Sequence, residues 1–201
     1  MRIKSQWFNS DSTKSAEEKA GAIAFISWRV AQNMLKQMRS ADFDIDIGRH
    51  YFAFTREVLA FLLHVVDRMA FDRMTSDERT EFTTALVIRM AAILTENEET
   101  YLGERATGEL SYAEQFIALF NELGEHYAEF ACVDGEPEFA FVRYFGQRVE
   151  ALMPVKDRPW VVDQMMASEV PDAVETLRRG MSGVFSDEPR KARRARSMSG
   201  E

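Results

Sequence analysis

The sequence predicts an all-α fold, a single-domain bundle of six or seven helices around a central helix at about residues 49–74. Apolar residues recur at spacings of three and four along most of the chain, which is the period of an amphipathic helix. Three Ser/Thr-x-x-Glu sequences stand just before such stretches, and each has the spacing of a capping box. No segment is convincing as a strand.

The central helix, RHYFAFTREVLAFLLHVVDRM with its flanks, is apolar around most of its circumference. On a helical wheel its polar residues other than Thr55, together with two alanines, fall within an arc of about 120°, so we expect neighbours on several sides. Charged residues interrupt the run too often for a membrane span. We expect the narrow polar arc to be partly covered, by the domain itself or by a partner. The arc consists of Arg49, His50, Ala53, Arg56, Glu57, Ala60, His64, Asp67 and Arg68.

Composition and charge suggest the domain organisation. The chain has 201 residues, of which 46% are hydrophobic, and this is enough for one domain with its own core. We expect an N-terminal arm at residues 1–14, a helical domain at 15–185 and a disordered basic tail at 186–201. The tail has five basic and three acidic residues, so it carries +2 and the remainder carries −10 of the net −8.

Three helices are predicted in the first half of the chain. The first begins after the capping residue Ser15 and runs to about Arg39, and the third begins after the capping residue Thr75. The link before the third helix is very short, so the second and third helices should pack antiparallel. We expect the third helix to end near Asn97, because an amide on its apolar side suggests a helix end rather than a buried amide. The run NEETYLGERATGE would then be a polar loop.

The acidic link before the central helix raises the question of calcium, because Asp42, Asp44 and Asp46 alternate with apolar residues. An EF-hand loop starting at Asp42 needs glycine where Ile47 stands and glutamate where Ala53 stands. Both requirements fail. We therefore expect a short extended connection whose apolar residues face the core.

The second half should contain the remaining helices. The fourth begins at the capping box of Ser111 and Glu114, and Asp134-Gly135 marks the turn after it. Three prolines occupy favoured first-turn positions of later helices. The predicted helices run from Pro137 to Met153, from Pro159 to Ser168, and from Pro171 to Phe185, the last one frayed near Gly180 and Gly183.

Four side chains on the second and fourth helices are the candidates for metal binding or acid–base chemistry: His64, Asp67, Glu122 and His126. A helical dimetal carboxylate site requires two Glu-x-x-His pairs and further inward glutamates, and neither pair here has that spacing. Surface ion pairs and hydrogen bonds are therefore the favoured interpretation, and a metal site is the alternative.

The stronger catalytic motifs are absent from the sequence, which weighs against an enzyme. There is no nucleophile elbow, glycine-rich phosphate loop, His-Glu-x-x-His sequence or cysteine pair. The single cysteine, Cys132, has acidic neighbours that disfavour a thiolate, so we interpret it as structural. A lone thiol suits a reducing compartment, and we expect a cytoplasmic protein.

Three hypotheses for function remain. The first is an interaction or assembly module that presents an apolar groove or helix face to a partner protein or to a second copy of itself. The second is a helical domain that binds a small apolar ligand in a pocket lined by some of its 15 phenylalanines and 11 methionines, and the third is a metal-dependent protein. The acidic body disfavours nucleic acid except through the tail residues Arg190, Lys191, Arg193, Arg194 and Arg196.

Overall fold

The computed structural model describes residues 14–46 and 48–186, and within them it confirms the all-α prediction. A π-helical turn (Met165–Glu169) joins the last two helices, and one two-stranded hairpin is present. Most of the predicted arm and basic tail lies outside the described residues. The elements are α1 (Ala16–Ser40), α2 (Arg49–Phe71), α3 (Ser76–Leu102), α4 (Tyr112–Tyr127), β1 (Cys132–Val133), β2 (Glu136–Pro137), α5 (Phe139–Leu152), α6 (Arg158–Gln164) and α7 (Val170–Phe185).

The three predicted capping boxes are all formed, and they begin α1, α3 and α4. In each, the hydroxyl of the cap residue accepts a hydrogen bond from the backbone N–H three positions later. The glutamate at that third position accepts a hydrogen bond from the N–H of the cap, at 2.8–3.0 Å. These reciprocal bonds satisfy amides that would otherwise lack partners at a helix start. The cap residues are Ser15, Thr75 and Ser111.

The central position of α2 is also confirmed. It contacts α1, α3, α4, α5 and α7, and its apolar side chains from Val58 to Ala70 are almost completely buried. The Phe61 ring stacks on Phe145, with ring centroids 4.2 Å apart, and meets the edge of Phe141 at 5.4 Å. The helix ends at Phe71, three residues before the predicted end. Among the described residues, no helix has the length and apolarity needed to cross a bilayer.

The link between α1 and α2 packs as expected for the residues that the structure describes. The side chains of Phe43 and Ile45 are buried, while the aspartates of this link are exposed. Two polar contacts hold the link in place. The backbone N–H of Asp44 donates to the buried Asp157 carboxylate at 2.8 Å, and the Arg39 guanidinium donates to the Ile45 carbonyl at 2.6 Å. Ile47 lies outside the described residues.

The predicted end of α3 near Asn97 is wrong, because the helix continues to Leu102. The Asn97 side-chain amide donates to the Ile93 carbonyl of its own helix at 2.7 Å, so it is satisfied without a helix end. The next residue, Glu98, is completely buried in the helix. The first six residues of the predicted polar loop are therefore helical.

Pro137 does not begin a helix as predicted. It belongs to β2, where it pairs with Cys132 across a hairpin. The two turn residues, Asp134 and Gly135, both have positive φ, 52° and 75°, as a type I′ turn requires. The predicted turn is thus confirmed, but the chain spends two further residues in the hairpin before α5 begins at Phe139.

The helix predicted to start at Pro171 is not separate from the one before it. The backbone is helical from Arg158 to Phe185, and the π turn ends at Glu169, two residues before the proline. The Val170 N–H bonds to the Met165 carbonyl five residues back. Proline has no N–H to donate, so a local change of hydrogen-bond pattern allows the helix to continue past it.

The expected fraying near Gly180 and Gly183 is also wrong, since α7 continues to Phe185. A Cβ atom at Gly180 would lie 2.9 Å from the Ile26 Cδ1 of α1. The missing side chain therefore permits close packing of α1 against α7, and this contact offsets the low helix propensity of glycine.

Candidate functional site

The polar side chains of α2, here called the polar strip (Arg56, Glu57, His64, Asp67 and Arg68), are covered by the neighbouring helices. Arg56 forms an ion pair with the buried Glu98 of α3. Glu57 accepts two hydrogen bonds from the Arg148 guanidinium of α5, at 2.6 and 3.2 Å. The Arg68 guanidinium donates to the backbone carbonyl at the end of α4, at 3.1 Å. The expected covering of the strip is confirmed, and the domain itself supplies it.

His64 is a neutral hydrogen-bond donor between α2 and α4. Its Nε2 lies 3.0 Å from the Phe120 carbonyl oxygen, and because a carbonyl can only accept, we assign the proton to Nε2. The imidazole also stacks on the Phe120 ring, with centroids 4.1 Å apart. Burial disfavours the charged imidazolium and lowers the pKa of His64 to about 4. Gly124 has no side chain to obstruct this approach.

The other three candidate metal ligands make separate contacts. Asp67 accepts a hydrogen bond from the Thr83 hydroxyl at 2.7 Å. Glu122 is exposed, with its Oε1 3.9 Å from an Arg148 nitrogen, and His126 is exposed beside the Tyr144 ring. Across residues 14–46 and 48–186, no group of three or more His, Cys, Asp or Glu side chains is arranged to hold a metal ion. These contacts link α2, α3, α4 and α5 to one another.

The partly buried His64 should make stability depend on pH. Its folded-state pKa of about 4 lies below the ordinary 6.5, so only the unfolded chain gains this proton as the pH falls between the two values. Acidification from pH 7 to 4 should therefore remove about 3 kcal/mol of the free energy of unfolding through this residue. Urea denaturation of the wild type and His64→Gln at both pH values measures this contribution.

The free energy of unfolding of the wild type minus that of His64→Gln should fall by that amount between pH 7 and pH 4, because glutamine keeps a donor and does not titrate. His126→Gln is the matched control, since His126 is exposed. If the difference in free energy of unfolding between the wild type and His64→Gln stays constant from pH 7 to 4, the folded protein does not hold His64 in its neutral form.

The second candidate region is a surface cleft of about 620 Å³ between α1 and α7, here called the α1–α7 groove. Four apolar residues of its lining are mostly buried and form its floor, and the Phe25 ring, 59% exposed, forms part of its rim. An exposed aromatic ring that continues into an apolar floor forms a contiguous apolar surface, and such surfaces can bind a partner. The floor residues are Ile26, Val30, Met34 and Ala173.

The two ends of the groove differ in charge. The helices run antiparallel, because Gly180 lies opposite Ile26 while the Lys19 ammonium lies 5.1 Å from the Phe185 ring centroid. Arg179 lines one end, and Glu169 lines the other, ten residues or about 15 Å away along the helix. Asn33 and Gln37 of α1 belong to the same end as Glu169.

Glu169 has the least usual environment in the groove. It is 2% exposed and lies in the π turn. Its Oε1 accepts a hydrogen bond from the Gln164 side-chain amide at 2.9 Å, whereas its Oε2 has no hydrogen-bond partner among the described residues. Burial raises the pKa of this carboxyl, and the bond from Gln164 only partly opposes that effect. π turns often occur at functional sites.

Glu169 is not among the candidate residues predicted above, although its position in an apolar row of the sequence is a signal. This glutamate belongs to a row with a spacing of four residues, and all the other members are apolar and buried. A carboxylate in such a row is unusual because its burial is costly unless it is paired. The row consists of Val161, Met165, Glu169, Ala173 and Leu177.

No protein-family model, curated protein or solved structure gives a significant match to this chain. We therefore infer function from the geometry of the polar strip and of the α1–α7 groove. The polar strip is engaged in contacts between helices of the domain, whereas the groove combines exposed apolar surface with a buried carboxylate oxygen that has no hydrogen-bond donor among the described residues.

Proposed function

We propose that this chain is a non-enzymatic helical interaction module that binds an α-helical segment of a partner protein in the α1–α7 groove. The observation that carries the proposal is the apolar floor of the groove beside the exposed Phe25 ring. Helix-in-groove binding uses such a surface, because an amphipathic helix can bury its apolar stripe there.

The spacing of the floor residues supports a helical partner. Ile26, Val30 and Met34 of α1 are four residues apart, so they succeed one another by about 6 Å along the groove. Apolar residues at positions i, i+4 and i+8 of a partner helix repeat at the same interval. The contacts would therefore continue over about two helical turns.

A small apolar molecule is the second candidate ligand, because Phe25 and Met34 both line the groove. The charged groups at its two ends favour a peptide segment over such a molecule.

A cytoplasmic location belongs to the same proposal. The single cysteine supports it, and burial raises the pKa of the Cys132 thiol to about 11, which keeps it protonated and unreactive.

A helical peptide library displayed on phage and selected against the full chain tests the proposal. The selected peptides should carry an apolar stripe of helical spacing, and Phe25→Asp should weaken their binding about 30-fold, as loss of an interface hot spot does. Thr176→Arg should have a similar effect, because Thr176 is an exposed residue of the groove lining that a longer side chain would obstruct. Fluorescence anisotropy gives the dissociation constants.

Ile88→Asp is the matched control for Phe25→Asp, since Ile88 lies within α3 and is 58% exposed, against 59% for Phe25. This variant should bind the peptides as the wild type does. Unchanged binding to Thr176→Arg and Phe25→Asp, or a library that yields no helical binder, would refute the proposal. Light scattering on the chain alone examines the alternative that a second copy fills the groove.

A further inference from the structure

We propose that the end of the α1–α7 groove formed by Glu169 and Asp172 recognises a lysine or arginine side chain of the bound helix, and that Glu169 determines this specificity. The inference rests on the proposed function, because it assigns the chemistry of a ligand that occupies the same groove. It concerns a residue of the groove wall that is buried in the protein without a ligand.

The Oε2 oxygen of Glu169 is the first feature that supports this inference. Its Oε2 makes no hydrogen bond among the described residues, although the side chain is 2% exposed. A buried carboxylate without a partner is costly, and most such groups in proteins are paired with a cation or a hydrogen-bond donor. Glu169 lines the groove, so an ammonium or guanidinium group that enters there and displaces the side chains covering Oε2 would supply both.

The second argument is that the carboxylate is already oriented. The Gln164 side chain donates to Oε1 at 2.9 Å, and this bond restrains the rotation of the carboxylate while leaving Oε2 free to accept. A site that is oriented in advance loses less entropy on binding. Asp172, which lies one turn along α7 and also lines the groove, adds a second negative charge near the entering cation.

The third argument is the position of the positive charges of the groove. The Arg179 guanidinium donates to the Glu175 carboxylate at 2.8 Å, and the Arg29 guanidinium lies 5.8 Å from the centroid of the Phe25 ring. Arg179 lies about 15 Å along the helix from Glu169. Arg179 is therefore already paired and too far away to neutralise Glu169, so the cation that pairs with Glu169 would come from the partner helix.

Double-mutant cycles with the selected peptides test the inference. The basic residue shared by these peptides is replaced by norleucine, which keeps the apolar stem and removes the charge. On the wild-type chain this replacement should weaken binding about 30-fold, within the range of coupling found for close charge pairs. On Glu169→Gln the same replacement should change the dissociation constant less than about threefold, because the charge partner is gone.

Glu175→Gln is the matched control, because Glu175 is a groove carboxylate that already bonds to Arg178 and Arg179. It should retain the full effect of the norleucine replacement. Circular dichroism tests whether Glu169→Gln is folded. If Glu169→Gln is not folded, Asp172→Asn takes its place, since Asp172 is exposed. Asp172→Asn should reduce the norleucine effect at least threefold.

The results separate this inference from the proposed function. If Thr176→Arg excludes the selected peptides but these share no basic residue, the inference is overturned and the groove remains the binding site. The same holds if norleucine weakens binding to Glu169→Gln as much as it weakens binding to the wild type. If Asp172→Asn is the variant used, an undiminished norleucine effect overturns the inference in the same way. Peptides that still bind Thr176→Arg would overturn the proposed function itself.

Discussion

Phe61→Ala should lower the free energy of unfolding by about 4 kcal/mol, the magnitude typical of a phenylalanine removed from a core. The Phe61 side chain is completely buried, and its ring contacts Phe145, Phe141 and Tyr127 at centroid distances of 4.2, 5.4 and 6.2 Å. Alanine would leave a cavity where α2, α4 and α5 meet, and the other rings could fill it only in part. Guanidinium denaturation measures the loss.

Phe71→Ala is the matched control, because Phe71 is on the same helix but is 65% exposed. Its removal should change the free energy of unfolding by less than about 0.5 kcal/mol. A loss below about 1.5 kcal/mol for Phe61→Ala would mean that α2 is not the centre of the packed core.

Arg56→Met should cost about 3 kcal/mol of stability at pH 7, because it removes the cation that faces a completely buried carboxylate. Burial raises the pKa of Glu98, and Arg56 opposes that shift. Without the arginine the pKa should rise further, so the folded state would hold a proton that the unfolded state releases. Stability of the variant should therefore fall as the pH rises above about 4.5.

The matched second change is Glu98→Gln in the Arg56→Met background. Because glutamine carries no charge, the double variant should recover more than half of the lost free energy at pH 7 and lose the added pH dependence. Urea titrations at pH 5 and pH 7.5 measure both effects. Equal losses at the two pH values, without recovery in the double variant, would mean that Glu98 is solvated rather than buried.

Local signals predicted the helix starts well. A capping box needs only four consecutive residues, so Ser15, Thr75 and Ser111 identified three helices without knowledge of the fold. The broad apolar surface of α2 likewise predicted its central position from one continuous segment. These features depend on interactions within one helix or on total apolar area, and both can be assessed from the sequence.

Predictions failed where distant contacts or neighbouring bonds changed the local preference. The sequence around Asn97 predicts a helix end, but a bond to its own helix and the pairing of Glu98 with Arg56 of α2 allow α3 to continue. Pro171 predicts a helix start, but the π turn before it allows one helix to run through. Sequence periodicity contains no information about either contact.

The groove was beyond sequence reasoning for a similar reason. Its walls come from α1 and α7, which lie at opposite ends of the described chain, and their approach depends on the fit of Ile26 against Gly180. The hypothesis of an apolar groove could be stated from composition, but its location could not. The four metal candidates were placed correctly on α2 and α4, yet the residues that they contact on other helices could not be predicted.

The most direct test of the proposed function is an amide ¹H–¹⁵N NMR titration of the full chain with the tightest library-selected peptide. Binding in the α1–α7 groove should shift resonances from residues 25–37 and 169–179, which span the groove lining, and should leave those of α4 and the hairpin unchanged. The same titration of Thr176→Arg should show no such shifts at equal peptide concentration. Shifts centred on α4 and α5, with the groove resonances unmoved, would contradict the assignment of this groove as the binding site.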